Sequence, residues 1–217
     1  MRKFILIDWI GLGAFISSAL WLLIFPDWSI FVTTPPLSAP IQLSPPGKIR
    51  KEICVPIKDR YELNFSFRRA GHSFESLKSL IDNRVYKDGK LVPSGTTVPI
   101  NWEISDASTG IVAHGEVESF GANSWSRSDI GRTISTMTLE PGKYTFSASI
   151  PRDVPEYKGI ETRLTISIPA KNSTSWEIGV VWWGGIATYI FFWPSLFSSS
   201  VILLIRAWTH LSAKRDC

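Results

Sequence analysis

The sequence predicts a mainly β protein: an antiparallel immunoglobulin-like β-sandwich with a short helical insert, flanked by two transmembrane α-helices. Three observations predict it. Apolar residues are concentrated near both ends of the 217-residue chain, the segments between them alternate apolar and polar side chains in period two, and Pro and Gly turn signals separate those segments.

The first apolar run, Phe4 to Phe25, contains a single charged residue, Asp8. As a helix it extends about 33 Å, enough to cross a bilayer. It is longer than the apolar core of a secretory signal and no A-x-A site follows it, so it is expected to stay attached as an anchor. No Cys follows at lipoprotein distance. The second run, Ile178 to Ile205, has no charged side chain, and Pro194 is expected to bend it by removing a backbone donor.

Arg2 and Lys3 precede the first span, whereas Arg206, Lys214 and Arg215 follow the second. The preference of Lys and Arg flanks for the cytoplasm places both termini there. The central domain is then periplasmic, and the membrane is a bacterial inner membrane crossed twice. Trp28, Trp176 and Trp208 sit just beyond the span ends, where indole rings favour headgroup level. These assignments divide the chain into a cytoplasmic start at 1–3, a first span at 4–25, a Pro-rich linker at 26–47, a β-domain at 48–170, a short linker at 171–177, a second span at 178–205 and a cytoplasmic tail at 206–217.

The linker is extended and semi-rigid because of its prolines. Within the domain, Tyr61, Leu63, Phe65 and Phe67 form one apolar row, and Val98, Ile100, Trp102 and Ile104 another. Tyr144, Phe146, Ala148 and Ile150 form a third, and Ile160 to Ile168 a fourth. Weaker strands are expected at 49–57, 111–120 and 132–139. Phe74, Leu77, Leu80 and Ile81 recur at helical spacing, which predicts the insert. Pro141-Gly142 closes a turn before Tyr144, an arrangement similar to the tyrosine corner of sandwich domains.

The succession LNFSFRR from Leu63, VPINWEI from Val98, SRSDIGRTI from Ser126, LEPGKYTFSASI from Leu139 and PRDVPEYKGIETRLTI from Pro151 resembles an uncharacterised family of small bacterial exported β-domains. The resemblance covers the outer domain and implies a β fold of unknown activity. Members of that family are typically lipoproteins or secreted single domains. This chain departs from them in having two apolar helices and no lipobox.

Charge gives no reason to expect nucleic acid. Between Pro26 and Glu177 there are eighteen Lys and Arg against seventeen Asp and Glu, interspersed. His72 and His114 lack a second ligand at metal spacing, and Cys54 and Cys217 are separated by the predicted membrane. Walker, Rossmann and nucleophile-elbow patterns are absent, so no cofactor and no catalytic group is expected.

One polar loop breaks the alternation, GANSWSRSDIGR from Gly121 to Arg132. Trp and Arg combine large buried area with directional polar contacts at interfaces, so Trp125, Arg127 and Arg132 are candidate partner contacts. The alternative is structural, with Arg132 paired to a carboxylate and Trp125 capping the core. In the spans, Gly13 with Ser17, or Ala14 with Ser18, offer small surfaces to the second helix at Gly184, Gly185 and Ala187. Asp8 lies near the cytoplasmic end, within reach of headgroup water, Arg2 or Arg206. The expected function is a non-enzymatic, membrane-anchored binding module, most sharply an immunity protein that meets a toxin, such as a pore former, in the periplasm. An accessory subunit or envelope sensor is the alternative, and an envelope-acting enzyme a second one.

Overall fold

The computed structural model describes residues 6–215 apart from 70, 72, 82–83, 88–89, 94–95 and 170–172, with side chains left undescribed at 6–8, 84–87, 90–93, 210–211 and 213–215. His72 and Cys217 fall outside the described residues, as do the basic residues at 2 and 3 and the side chains of Asp8, Lys214 and Arg215. Residues 34–175 form one unit and the two terminal segments form another.

In chain order the elements are α1 Leu6–Thr33, β1 Leu37–Pro40, β2 Lys48–Val55, β3 Asp59–Arg68, α2 Phe74–Ile81, β4 Arg84–Lys87, β5 Lys90–Pro93, β6 Val98–Asp106, β7 Gly110–Ser119, β8 Ser124–Trp125, β9 Asp129–Leu139, β10 Gly142–Ser149 and β11 Thr162–Ser167. They are followed by α3 Trp176–Ala187, a π turn over Thr188–Phe192, and α4 Trp193–Arg215. One antiparallel sheet has the order β1-β11-β3-β9-β8 and the other β2-β10-β6-β7, while β4 and β5 make a separate hairpin.

The period-two rows of the sequence line one core between these two sheets. Tyr61, Leu63, Phe65 and Phe67 have no exposed surface, nor do Ile100 and Ile104 from the facing sheet, Phe146 beside them, and Leu164 and Ile166 next to β3. Each such side chain contributes roughly 1.5–3 kcal/mol by leaving water, which makes this alternation the main determinant of register. Two tyrosines close the turns before their strands in the same way. Tyr61 donates to the Ile57 carbonyl and Tyr144 to the Glu140 carbonyl, each at 2.9 Å.

The Pro-rich stretch is more than a spacer. Leu37, Ala39, Ile41 and Leu43 alternate inward and are buried, and β1 pairs with β11 from Leu37↔Ile166 to Pro40↔Arg163. Proline is tolerated there because β1 is an edge strand with one set of backbone donors unused. The helical insert occupies Phe74–Ile81, with Ser73 capping it by accepting from the Ser76 amide at 3.2 Å, and it buries Leu77 and Ile81.

In the helical unit, α1 continues past Phe25 through Pro26 to Thr33. The Pro26 carbonyl accepts from Ser29 Oγ at 2.8 Å and the Ser29 carbonyl from Thr33 Oγ1 at 2.7 Å, so side-chain hydroxyls add bonds in the turns that follow Pro26. Two helices, Trp9–Thr33 and Trp176–Thr209, are long and apolar enough to cross a membrane, with mean hydropathies of 1.8 and 1.7. Pro194 departs from regular α geometry in a particular form. The preceding turn, Thr188–Phe192, widens to π, which relieves the clash of a proline ring with the carbonyl four residues earlier.

These helices meet around Gly184. A Cβ added there would lie 2.5 Å from Phe25 Cε2, so only glycine admits the ring. Trp21 stacks between Phe25 and Phe192 with centroid distances of 4.7 and 4.6 Å. Its Nε1 donates to Thr188 Oγ1 at 2.9 Å, and that hydroxyl donates on to the Gly184 carbonyl at 2.7 Å. The small residues buried on α1 are Gly11 and Ser18, whereas Gly13 and Ser17 are exposed, and nothing lies within 4 Å of a Cβ built on Gly13 or Gly185. The packing face of α1 is therefore the Ala14–Ser18 one, offset by a residue from Gly13–Ser17.

Candidate functional site

Strands β3 and β9 end together, with Arg68 opposite Asp129, and the segments that follow β3 and precede β9 converge on that end of the domain. Chain segment 120–128 is held there by its own backbone. Gly121 adopts φ 71°, a conformation that glycine reaches without strain, and β8 pairs Ser124 with Gly131 and Trp125 with Ile130. A side chain on Gly131 would run into Ser124 Oγ, so this close approach uses the glycine of the SDIGR run.

Beyond Trp125 the turn is fixed by short polar side chains. Ser126 Oγ accepts from the Asp129 amide at 2.8 Å, and the Ser126 amide donates to the Asp129 carbonyl at 2.8 Å. Ser128 Oγ donates to the Asp129 carboxylate. Arg69 joins from the other segment, its amide donating to the Ser128 carbonyl at 2.8 Å and its Nη1 to the Arg127 carbonyl at 3.1 Å. Its guanidinium lies 5.1 Å from the Phe74 ring centroid, and Lys78 approaches the same ring at 5.8 Å. The result is a pinned turn that displays Trp125 at 47% exposure and the exposed Arg127, bordered by a cation–π group.

Arg132 does not belong to that surface. It has no exposed area, so it cannot touch a partner directly. The reason is register: Ile130, Arg132 and Ile134 share the inward row of β9. Its Nη1 donates to the carbonyls of Ser119 at 3.1 Å and Thr96 at 3.3 Å, and its Nη2 to the Ile81 carbonyl at 2.7 Å and Tyr157 Oη at 3.0 Å. Phe67 and Tyr157 flank the guanidinium at 5.4 and 6.0 Å. Burial raises the Tyr157 phenol above its ordinary range, and the neighbouring Arg132 charge pulls partly the other way. Arg132 thus fastens the end of α2, the chain before β6, the end of β7 and the Pro155–Tyr157 turn to one point. Sequence inspection placed it where the polar loop meets the strand expected from 132 and weighed a partner contact against a structural pairing with a carboxylate, although the Ile-x-Arg-x-Ile spacing was the available sign of an inward position.

A second polar cluster was not anticipated. Asp59 is buried, and its carboxylate accepts from Ser173 Oγ at 2.5 Å, Ser175 Oγ at 2.9 Å and the Arg60 amide at 2.7 Å. Burial alone would raise its pKa, but the hydrogen bonds from Ser173, Arg60, Ser175 and Thr174 outweigh it and hold the carboxyl below the usual value. This clasp fixes the segment leaving the domain. Among the described residues no group of three or more His, Cys, Asp and Glu could hold a metal ion, and His114 stands on β7.

The model of a domain of unknown function, DUF5625, matches residues 38–168, more than half of the chain. The chain belongs to this family. The DUF5625 region begins at Ser38 inside β1, which places that strand, and not only the seven strands expected from 49 onward, within the family's fold. A crystal structure of GEBA250068378 from Sulfurospirillum deleyianum is similar, with TM-score 0.51 and 23% identity over 63% of this chain and 98% of that one. At that identity the likeness concerns the fold alone. No curated protein matches the chain.

Proposed function

We propose that this DUF5625 protein is a membrane-anchored binding module that engages a protein partner through the Trp125–Arg127 turn, and that it serves as an immunity protein against a toxin acting on the inner membrane from the periplasm. The observation that carries the reading is the turn itself. A large aromatic ring and a guanidinium are displayed in water on a loop whose backbone is held by at least four local hydrogen bonds, so ordering it on contact costs little.

Two further features support it. The apolar helices on either side of the domain suit a two-pass anchor with both termini cytoplasmic, which puts the domain where a delivered toxin arrives. An immunoglobulin-like organisation belongs to the same proposal, supported by the two facing antiparallel sheets and the Tyr144 corner.

The test is deletion in the native host followed by competition against toxin-delivering siblings. Deletion is expected to abolish survival, wild-type complementation to restore it, and the Trp125→Ala, Arg127→Ala double variant, expressed at equal level, to fail. Equal survival of the deletion strain would overturn the immunity role. Full rescue by the double variant would overturn the assigned surface.

A further inference from the structure

Four strands end the two sheets, and three of them are short or carry basic residues. β1 has four residues and β8 two, while β2, at eight residues, carries Lys48, Arg50 and Lys51. Short or lysine-studded edges resist the addition of another strand.

β7 is built differently. It is ten residues long, contains no Lys, Arg or Pro, and leaves Ile111 and Val112 60% and 44% exposed. At its far end the edge is closed, because Arg132 takes the Ser119 carbonyl. From Gly110 to Val117, β7 pairs with β6 alone; one register shift leaves Val112 out of the ladder, Ala113–Val117 runs regularly beyond it, and no other backbone hydrogen bond reaches these residues among the described ones. The backbone groups on its outer side are therefore available as a template, with two apolar side chains beside them that a partner strand would cover.

Charge selects the kind of strand. The solvent-facing row of β7 offers His114 and Glu116, and Glu103 of β6 lies in register with His114. Neither Glu103 nor Glu116 forms an ion pair with a described residue, whereas Glu118 is already bonded to Arg152 at 3.0 Å. Both carboxylates border a shallow concavity of about 560 Å³ on that face of the sheet, whose β2 side, two strands further from the β7 edge than β6, carries Lys48 and Arg50. A Lys or Arg directly opposite Glu116 would have its Cβ about 5 Å away, where opposite charges stabilise a strand pair and like charges oppose it. A second copy of β7 brings carboxylates and no Lys or Arg, so a basic strand is the better occupant.

We propose that the Gly110–Val117 edge of β7 is a strand-addition site for an extended segment of a partner polypeptide that carries basic residues at alternate positions. Main-chain hydrogen bonds supply the binding, Ile111 and Val112 the apolar contact, and Glu116 with Glu103 the preference. This site is separate from the Trp125 turn and does not rest on it.

The test uses the full chain in nanodiscs of zwitterionic lipid and a short acetylated, amidated peptide alternating Lys with Val. Amide exchange at residues 110–117 is expected to slow by about tenfold or more on binding. The same peptide with Glu for Lys is expected to bind at least about tenfold more weakly, and Glu116→Lys to reverse that order. N-methylation of the peptide at alternate residues should abolish protection in the register that faces β7, which simple charge attraction would not. Replacing Ile111 and Val112 together by Lys gives β7 the guard that β2 has, and should remove binding without lowering the melting temperature. Unchanged exchange at 110–117 with saturating peptide, or undiminished binding to the double lysine variant, overturns the proposal. So does self-association of the chain that the double lysine variant dissolves, since the edge would then belong to a second copy.

Discussion

Arg132 shows how one side chain can organise a surface it never reaches. At the end of the domain where strands stop, carbonyls of Ser119, Thr96 and Ile81 lose their ladder partners, and one planar cation with several donors serves them all. The Ile81 carbonyl also carries the partial negative charge of the α2 C-terminus, which favours a cation there. Arg132→Met should therefore leave buried acceptors unserved and destabilise the domain by about 3 kcal/mol or more, read as a fall in melting temperature of the full chain in micelles. Arg132→Lys should recover only part of it, because one ammonium cannot reach acceptors spread this widely. Asp59 carries a pH prediction. Its folded pKa lies below the value of 3.8 for an unperturbed Asp, so the clasp contributes its full stability above about pH 4 and loses it as pH falls through the lower folded value. Amide protection at 173–175, relative to the intrinsic exchange rate at each pH, is expected to be lost in the wild type as pH falls through that lowered value and to be absent at every pH in Asp59→Ala. An Asp59→Ala variant with unaltered exchange there would show that the clasp contributes nothing.

Elements with a strong apolar period were legible in the sequence, and those with a competing signal were not. α2 spans Phe74–Ile81, the very residues whose helical spacing marks it, and the rows from Tyr61 and Val98 became β3 and β6. β1 was missed because the prolines of TTPPLSAP read as a spacer, although Leu37, Ala39, Ile41 and Leu43 already alternated beneath them. α1 was taken to stop before Pro26 for a similar reason: proline removes a backbone donor, yet the helix runs on through it to Thr33. The contact between the two apolar helices turned on which of two adjacent glycines faces inward, and helical phase at that resolution is invisible without the partner. A paired substitution tests the observed answer. Gly185→Ala adds a methyl to open space and should be neutral or stabilising by up to about 1 kcal/mol, the usual preference of a helix for Ala. Gly184→Ala forces that methyl against Phe25 and should cost about 1–3 kcal/mol, measured as weaker cross-linking between engineered cysteines on the two helices.

At the scale of the whole molecule, the immunity role depends on which side of a membrane the family domain occupies, and the chain carries its own reporter for that. Cys54 lies on the β2 edge strand opposite Lys143 and is exposed, so a membrane-impermeant maleimide can reach it wherever the domain meets that reagent. The proposed topology has the domain outside and Cys217 inside. In intact spheroplasts the reagent is therefore expected to add one label per chain, Cys54→Ser is expected to remove it, and Cys217→Ser to leave it unchanged. Permeabilising the membrane should then reveal a second label in the wild type, which Cys217→Ser removes. The reverse pattern, with Cys54 protected until the membrane is opened, would put the Trp125 turn and the β7 edge in the cytosol, where a periplasmic toxin could not meet them. Labelling of both cysteines in intact spheroplasts would be as damaging, because a chain crossing twice cannot place its end and its middle on the same side. The two proposed binding surfaces would survive either result as chemistry, since neither depends on compartment, but the immunity role would not.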